Sequence, residues 1–202
     1  MGPSSLRAKG PSQKIWILSF ERARSLRRIK PQRPKTSLVR RSDEDLPFVT
    51  EPAPGAELLL DTCVYLDVLK GRTPTEIDLL LQVRIVNHST IALAELTHLF
   101  GRLEPGHADT RGVLASLSGA IDDIPPHRLT APSTRCAGEA GMLAGLAARL
   151  GGRGADLALL NDASLFLQAR ETGCAVLTRN LSDFDLFDQL LPGSSVLLYR
   201  AV

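Results

Sequence analysis

From about residue 56 onward, short apolar runs alternate with longer stretches of helical periodicity. The run Leu58-Leu59-Leu60 is continuous, as in a strand that is buried on both faces. Strands that alternate with helices over this length predict a three-layer α/β/α fold with a central parallel sheet. The strand candidates are residues 58–60, 88–91, 127–130, 174–178 and 195–200.

Residues 1–55 lack this pattern and are rich in proline and in basic residues. Residues 1–42 contain 12 of the 24 Lys and Arg and one acid, Glu21, which gives a net charge of +11. Residues 43–202 contain 12 basic and 21 acidic residues, a net charge of −9. This asymmetry predicts a basic, disordered N-terminal extension over residues 1–55, followed by an acidic domain over residues 56–202.

Three hypotheses fit the basic extension: a disordered tail, an arm that contacts nucleic acid, or an organelle-targeting peptide. Its apolar run, Ile15–Phe20, is shorter than the core of a signal peptide, which needs roughly 7–15 apolar residues. No apolar run in the chain approaches the ~20 residues of a membrane span, so no membrane partner is expected. Three scattered cysteines without C-x-x-C spacing argue against disulfides or zinc and fit a reducing cytoplasm.

Two acidic residues stand where a packed fold would not favour them. Asp61 directly follows the first strand, and ligands bind at the carboxyl ends of strands in open α/β sheets. Glu95 shares a helical stripe with apolar Ala92, Leu96 and Leu99. A carboxylate there is costly unless it is paired or binds a metal, or unless it lies at the edge of the stripe and reaches water.

Asp162 and Asp183 are later candidates with competing interpretations. Asp162 either lies in the apolar stripe of a helix or sits in the first turn of a helix that begins at Asn161, where the helix dipole favours an anion. Asp183 lies at the start of the last helix, so Ser182 or Asp183 could simply be its N-cap.

The carboxyl edge of the sheet could gather all four acids, Asp61, Glu95, Asp162 and Asp183. Four bare carboxylates would raise one another's pKa, and a divalent cation removes this repulsion. Oxygen-only ligands indicate Mg²⁺, or Mn²⁺, rather than Zn²⁺. Such a centre suits hydrolysis of a phosphodiester, whereas the chain has neither a G-x-S-x-G elbow nor a G-x-G-x-x-G turn.

Four motifs, in this order and separation, make residues 57–202 resemble a PIN domain, most like the VapC-type ribonuclease toxins of bacterial type II toxin–antitoxin pairs. The motifs are Leu58-Leu59-Leu60-Asp61-Thr62-Cys63-Val64, Ala94-Glu95-Leu96, Asn161-Asp162-Ala163 and Leu177-Thr178-Arg179-Asn180-Leu181-Ser182-Asp183-Phe184. The resemblance implies that Asp61, Glu95, Asp162 and Asp183 are the catalytic, metal-binding acids. It also implies that Thr178 supports the acid cluster and that Asn180 lies near it.

The resemblance further implies a Mg²⁺-dependent endoribonuclease that acts on RNA, forms a homodimer and is blocked by a cognate antitoxin. The alternative is a PIN-fold module that binds RNA or protein without cutting, but the intact set of four acids favours the enzyme. Cys63 departs from the Asn or Ser that is common at this position of the family. The basic extension lies outside the family's pattern.

Overall fold

A five-stranded parallel sheet forms the centre of the computed structural model, which describes residues 20–33, 37–152, 154, 156–193 and 196–202. The spatial order of the strands is β3-β2-β1-β4-β5. The strands are β1 (Leu58–Leu60), β2 (Val86–Ser89), β3 (Leu129–Thr130), β4 (Ala175–Thr178) and β5 (Val196–Leu198). All the predicted strands are thus present, with shifts of a few residues at their ends.

Helices cover both faces of the sheet. They are α1 (Arg22–Ile29), α2 (Thr62–Leu69), α3 (Thr75–Val83), α4 (Thr90–Arg102), α5 (Thr110–Asp122), α6 (Thr134–Gly151), α7 (Leu157–Thr172) and α8 (Leu181–Leu190). Leu59 packs with apolar residues of α6, α7 and α8. Leu58 and Leu60 pack on the opposite face with residues of α2 to α5. Because both faces of β1 are buried, its sequence is a continuous apolar run, and the predicted α/β/α fold is confirmed.

The chain changes direction across the sheet next to β1. From β1 it continues to β2 and β3 on one side, and then returns to place β4 and β5 on the other. In such sheets a crevice opens at the carboxyl ends of the strands on either side of the reversal. Asp61 follows β1 and Asn180 follows β4 closely, so both lie at this position. The described part of the chain contains no helix with the length and apolarity that crossing a bilayer would require.

The N-terminal extension contacts the domain at several points along its described residues, 20–33 and 37–55. Ile29 of α1 is fully buried in the core that α6 to α8 form. Residues 37–50, here called the strap, then follow the domain surface: the Leu38 amide donates to the Leu150 carbonyl oxygen (2.9 Å), and Phe48 forms a parallel bridge with Leu198 of β5. Residues 20–33 and 37–50 of the extension that was predicted to be disordered thus have defined contacts with the domain. Residues 1–19, with most of the apolar run Ile15–Phe20, and residues 34–36 lie outside the described residues.

Buried acids of the domain explain why so basic a segment folds onto it. Glu139 of α6 is almost fully buried and accepts a hydrogen bond from Ser25 Oγ (2.9 Å), and Arg28 Nη1 lies 3.0 Å from it. The side chain of Asp185 in α8 is fully buried and accepts hydrogen bonds from the Arg41 amide (2.8 Å) and Arg41 Nε (2.5 Å). A buried carboxylate is tolerated only when it is paired, so the extension supplies charges that the domain needs.

Candidate active site

Asp61 lies at the carboxyl end of β1 and is buried, with 5% of its surface exposed. The Asp61 amide donates to the Leu177 carbonyl oxygen (3.1 Å), which continues the β1–β4 pairing by one residue. Its Oδ2 accepts hydrogen bonds from Thr178 Oγ1 (2.5 Å) and from the Cys63 thiol (3.0 Å). The carboxylate is therefore held between the ends of the two strands, with Thr178 in contact with it.

Glu95 lies in the second turn of α4 and is half-buried. Its Oε2 accepts a hydrogen bond from Thr62 Oγ1 (2.5 Å) at the start of α2, and its Oε1 accepts one from Asn161 Nδ2 (2.6 Å) in α7. Glu95 is thus paired on two sides. Of the interpretations left open by the sequence, the structure shows the paired carboxylate.

Asn180 connects the two remaining acids. Its side-chain amide nitrogen lies 2.9 Å from Asp162 Oδ2 and 2.9 Å from Asp183 Oδ2. Asn180 is also the N-cap of α8, because its Oδ1 accepts a hydrogen bond from the Asp183 amide (3.3 Å). The sequence had allowed Ser182 or Asp183 as the N-cap of this helix, but neither residue caps it. Asp183 instead lies buried in the first turn, where the helix dipole stabilises an anion.

The position of Asp162 follows from the start of α7. This helix begins at Leu157, and Asp156 caps it by accepting a hydrogen bond from the Leu159 amide (2.8 Å). Asp162 therefore lies in the second turn and not in the first. Asn161, the partner of Glu95, directly precedes Asp162 in this second turn.

One cleft of about 660 Å³ brings these residues together: Asp61, Glu95 and Asp162 all line it. Asp183 joins them through Asn180, which also lines the cleft. Across the described part of the chain, no three His, Cys, Asp or Glu side chains already surround a common point at metal-binding distance. The acids are held instead through the neutral donors of Thr62, Asn161, Thr178 and Asn180.

The negative charge in this cleft alters the acidity of its members. Burial raises the pKa of Asp61, and the charge of Glu95 raises it further, while the hydrogen bonds from Cys63 and Thr178 act in the opposite direction. Burial and the charge of Asp61 also raise the pKa of the Cys63 thiol well above neutrality. Cys63 is therefore a neutral thiol that donates to Asp61, a role that a Ser hydroxyl could equally take.

Replacing the buried carboxylate Asp61 with Asn should stabilise the protein at pH 7 in metal-free buffer. Because the folded-state pKa is raised, Asp61 favours folding only while it is protonated, and its contribution is lost as the pH rises from its ordinary pKa of 3.8 through the folded value. Each kcal/mol gained should raise the unfolding midpoint by about 2–4 °C in thermal denaturation. The gain should shrink toward pH 3.8.

A matched control for this substitution is Asp122→Asn at the exposed end of α5, which should leave the midpoint unchanged. A midpoint that falls at pH 7 in Asp61→Asn would contradict the claim that the ionised carboxylate is destabilising. If Mg²⁺ binds at Asp61, its addition should raise the midpoint of the unsubstituted protein and not that of the variant, because a ligand stabilises only the state that binds it.

Several residues at the cleft were not predicted from the sequence. Thr62 and Asn161 hold Glu95, and the only available signal was that each is adjacent to a predicted acid. Asp67 is buried in α2 and pairs with Arg179 Nε (2.6 Å) and the Tyr199 hydroxyl (2.9 Å). The apolar residues around Asp67 in the sequence gave no indication of these partners, which lie more than a hundred residues away.

Comparison with known proteins supports the fold. No protein-family model matches the chain, and no curated protein matches it. Among solved structures, VapBC2 from Rickettsia felis bound to a DNA fragment from their promoter contains a chain with 16% identity and a TM-score of 0.51, and the match covers 71% of this chain and 98% of that one.

The structure of FitAcB from Neisseria gonorrhoeae contains a second similar chain. It has 20% identity and a TM-score of 0.50, and the match covers 70% of this chain and 96% of that one. Likenesses at this level of identity establish the fold. The resemblance found in the sequence is therefore confirmed for the fold: the chain has the fold of a VapC-like PIN domain.

Proposed function

We propose that this protein is a Mg²⁺-dependent endoribonuclease that hydrolyses RNA phosphodiester bonds and acts as the toxin of a type II toxin–antitoxin pair. The observation that supports this is the convergence of Asp61, Glu95 and Asp162, from three separate elements, on one cleft at the carboxyl edge of the sheet. Packing alone would not favour this arrangement, because buried and half-buried carboxylates repel one another and cost desolvation energy.

The chemistry of the available donors fits Mg²⁺ or Mn²⁺. Asp61, Glu95, Asp162 and Asp183 would hold the ion, and all offer carboxylate oxygens, the ligands that these hard cations prefer. Cys63 is the one thiol among the described residues that line the cleft, and no His is among them, whereas Zn²⁺ sites combine several Cys or His ligands. When bound, the ion would supply a water of lowered pKa and would neutralise charge on the phosphate.

The protein's own contribution is to fix the carboxylates before RNA binds. Thr178 orients Asp61, Thr62 and Asn161 orient Glu95, and Asn180 orients Asp162 and Asp183. Each of these partners is a neutral donor on a helix start, strand end or helix, and it orients its acid without itself bringing a positive charge. Carboxylates that are oriented in this way are suited to bind a cation.

Cleavage of total RNA by the purified protein tests this proposal. With Mg²⁺ or Mn²⁺ we expect discrete fragments, because an active site in a defined cleft selects its substrate, and with EDTA we expect none. Intact RNA with both ions, from protein shown to be folded, would contradict the nuclease. That outcome would favour the alternative, a PIN-fold module that binds RNA or protein without cutting it.

An antitoxin partner, a homodimer and action in the cytoplasm belong to the same proposal. The similar Rickettsia felis chain comes from a VapBC2 complex. This chain also exposes apolar side chains on α2, α4 and α5, namely Val68, Leu69, Phe100 and Val113, and exposed apolar surface of this kind is typical of protein interfaces. Co-purification of the product of a neighbouring small reading frame, with loss of cleavage in the complex, would test the antitoxin.

A further inference from the structure

Three arginines line the same cleft as the acids: Arg40, Arg179 and Arg200. They come from the strap, from the loop between β4 and α8, and from the residues that follow β5. Residues 43–202 carry a net charge of −9, which repels a polyanion at long range. Cations at the cleft itself, one of them from the basic residues 1–42, would offset this repulsion where an anionic chain enters.

The strap fixes the position of Arg40. The residue after it, Arg41, is anchored to the buried Asp185 through its amide (2.8 Å) and through Nε (2.5 Å). Arg41 Nη2 also contacts Asp188 Oδ2 (2.7 Å). Two residues before Arg40, the Leu38 amide donates to Leu150. Arg40 is thus held at the cleft by anchors on both sides, although it belongs to the basic extension.

Asp43 of the strap connects Arg40 with Arg200. Arg40 Nη1 lies 2.8 Å from Asp43 Oδ1, and Arg200 Nη2 pairs with Asp43 Oδ2. The Arg200 guanidinium also lies 5.3 Å from the centre of the Phe48 ring. The three charged residues carry a net charge of +1, and the side chains of Arg40 and Arg200 stay 38% and 59% exposed. Each planar guanidinium has five N–H donors, a geometry that matches phosphate oxygens.

Arg179 supplies the third cation. Its Nε pairs with the buried Asp67 (2.6 Å), yet its side chain remains 46% exposed. Its backbone amide donates to the Cys63 sulfur (3.3 Å), so it lies beside the thiol that contacts Asp61. Arginine donors and the proposed metal-binding acids therefore border one cavity.

We propose that Arg40, Arg179 and Arg200 form a cationic rim that binds the phosphates of single-stranded RNA on either side of the bond to be cut, and that the strap serves to place Arg40 in this rim. The inference rests on the proposed function and adds to it the surface that holds the substrate. Backbone phosphate contacts position a nucleic acid without specifying its sequence. The rim would thus set affinity and register, while the acids act on one phosphodiester.

RNA binding without cleavage tests the rim. The probe is a fluorescein-labelled oligouridylate of about 12 nucleotides, a length within the range that single-strand sites cover. Anisotropy titrations in EDTA, with all variants in the Asp61→Asn background, exclude metal and cleavage. Arg40→Ala should weaken binding roughly 5-fold at low salt and should reduce the slope of log K against log salt by about 0.7 for each lost phosphate contact. Arg24→Ala, an exposed arginine of α1 away from the cleft, is the matched control and should change neither quantity.

Asp43→Asn separates a phosphate-binding role from a structural one. It removes the acid between Arg40 and Arg200, so it should tighten RNA binding and steepen the salt dependence, which loss of a merely structural ion pair would not do. Arg40→Ala that binds like Arg24→Ala at every salt concentration, or Asp43→Asn that weakens binding, would overturn the rim. Neither result bears on the nuclease, which is judged by cleavage with Mg²⁺.

Discussion

Asp61→Asn should lower the rate of Mg²⁺-dependent RNA cleavage by at least about 10²-fold. Asp61 lies buried between the ends of β1 and β4, where burial and the charge of Glu95 raise its pKa. A metal ion contributes several kcal/mol of charge stabilisation in the transition state, and about 1.4 kcal/mol corresponds to a factor of ten in rate. Asn keeps the shape of the side chain but removes the charge that would bind the proposed ion. Single-turnover cleavage of an RNA fragment that the unsubstituted protein cuts measures the effect.

Two further variants test whether the loss of rate comes from the charge of Asp61. Asp122→Asn at the exposed end of α5 should cleave at the unsubstituted rate. Thr178→Val removes the hydroxyl that contacts Asp61 and should cost less than Asp61→Asn, because it disturbs the orientation of the carboxylate and leaves its charge. If Asp61→Asn retained the full rate, the assignment of the four acids as the metal centre would be wrong.

Arg41→Ala should reduce the free energy of unfolding by about 2–3 kcal/mol, which lowers the midpoint by roughly 4–12 °C. The side chain of Asp185 is fully buried, and truncation of Arg41 leaves its charge with the Arg41 amide and Gln189 as partners. Removal of one member of a buried ion pair costs about 3–5 kcal/mol. The expected value is lower because a third of the Arg41 side chain is exposed to water. Urea denaturation measures it.

The double variant Arg41→Ala/Asp185→Asn provides the control for this effect. It removes the stranded charge together with its partner, so it should be less destabilised than the sum of the two single variants. Arg24→Ala, whose ion pair with Glu21 is exposed, should cost less than about 0.5 kcal/mol. If Arg41→Ala proved as mild as Arg24→Ala, the strap would not be held by this pair, and the placement of Arg40 would lose its structural basis.

The central part of the fold could be predicted because its signals are local. The three consecutive leucines, Leu58-Leu59-Leu60, predict a strand that is buried on both faces, and Asp61 follows this strand directly. Glu95 could be singled out because three apolar residues at helical spacing place it on a packed face. Such patterns can be interpreted without knowledge of distant partners. From them we could predict that the acids lie at one edge of the sheet.

What the sequence could not provide are contacts between residues far apart in the chain. Arg41 and Asp185 are separated by 144 residues, and neither differs visibly from a charge that faces water. Composition describes the extension as basic and rich in proline, which typically indicates disorder, but it cannot show that buried acids elsewhere need those charges. The same limit applies in part to Asn180: the resemblance placed it near the acids, but no local pattern showed that its amide contacts Asp162 of another helix.

Diffraction from crystals soaked in Mn²⁺ tests the central claim most directly, because the anomalous signal of manganese locates the ion without reference to activity. The metal centre proposed here predicts an anomalous peak in the cleft, within coordination distance of Asp61 and at least one of Glu95, Asp162 and Asp183. It also predicts that the peak is absent in Asp61→Asn. A cleft without manganese in the unsubstituted protein, at concentrations of Mn²⁺ that support cleavage, would contradict it.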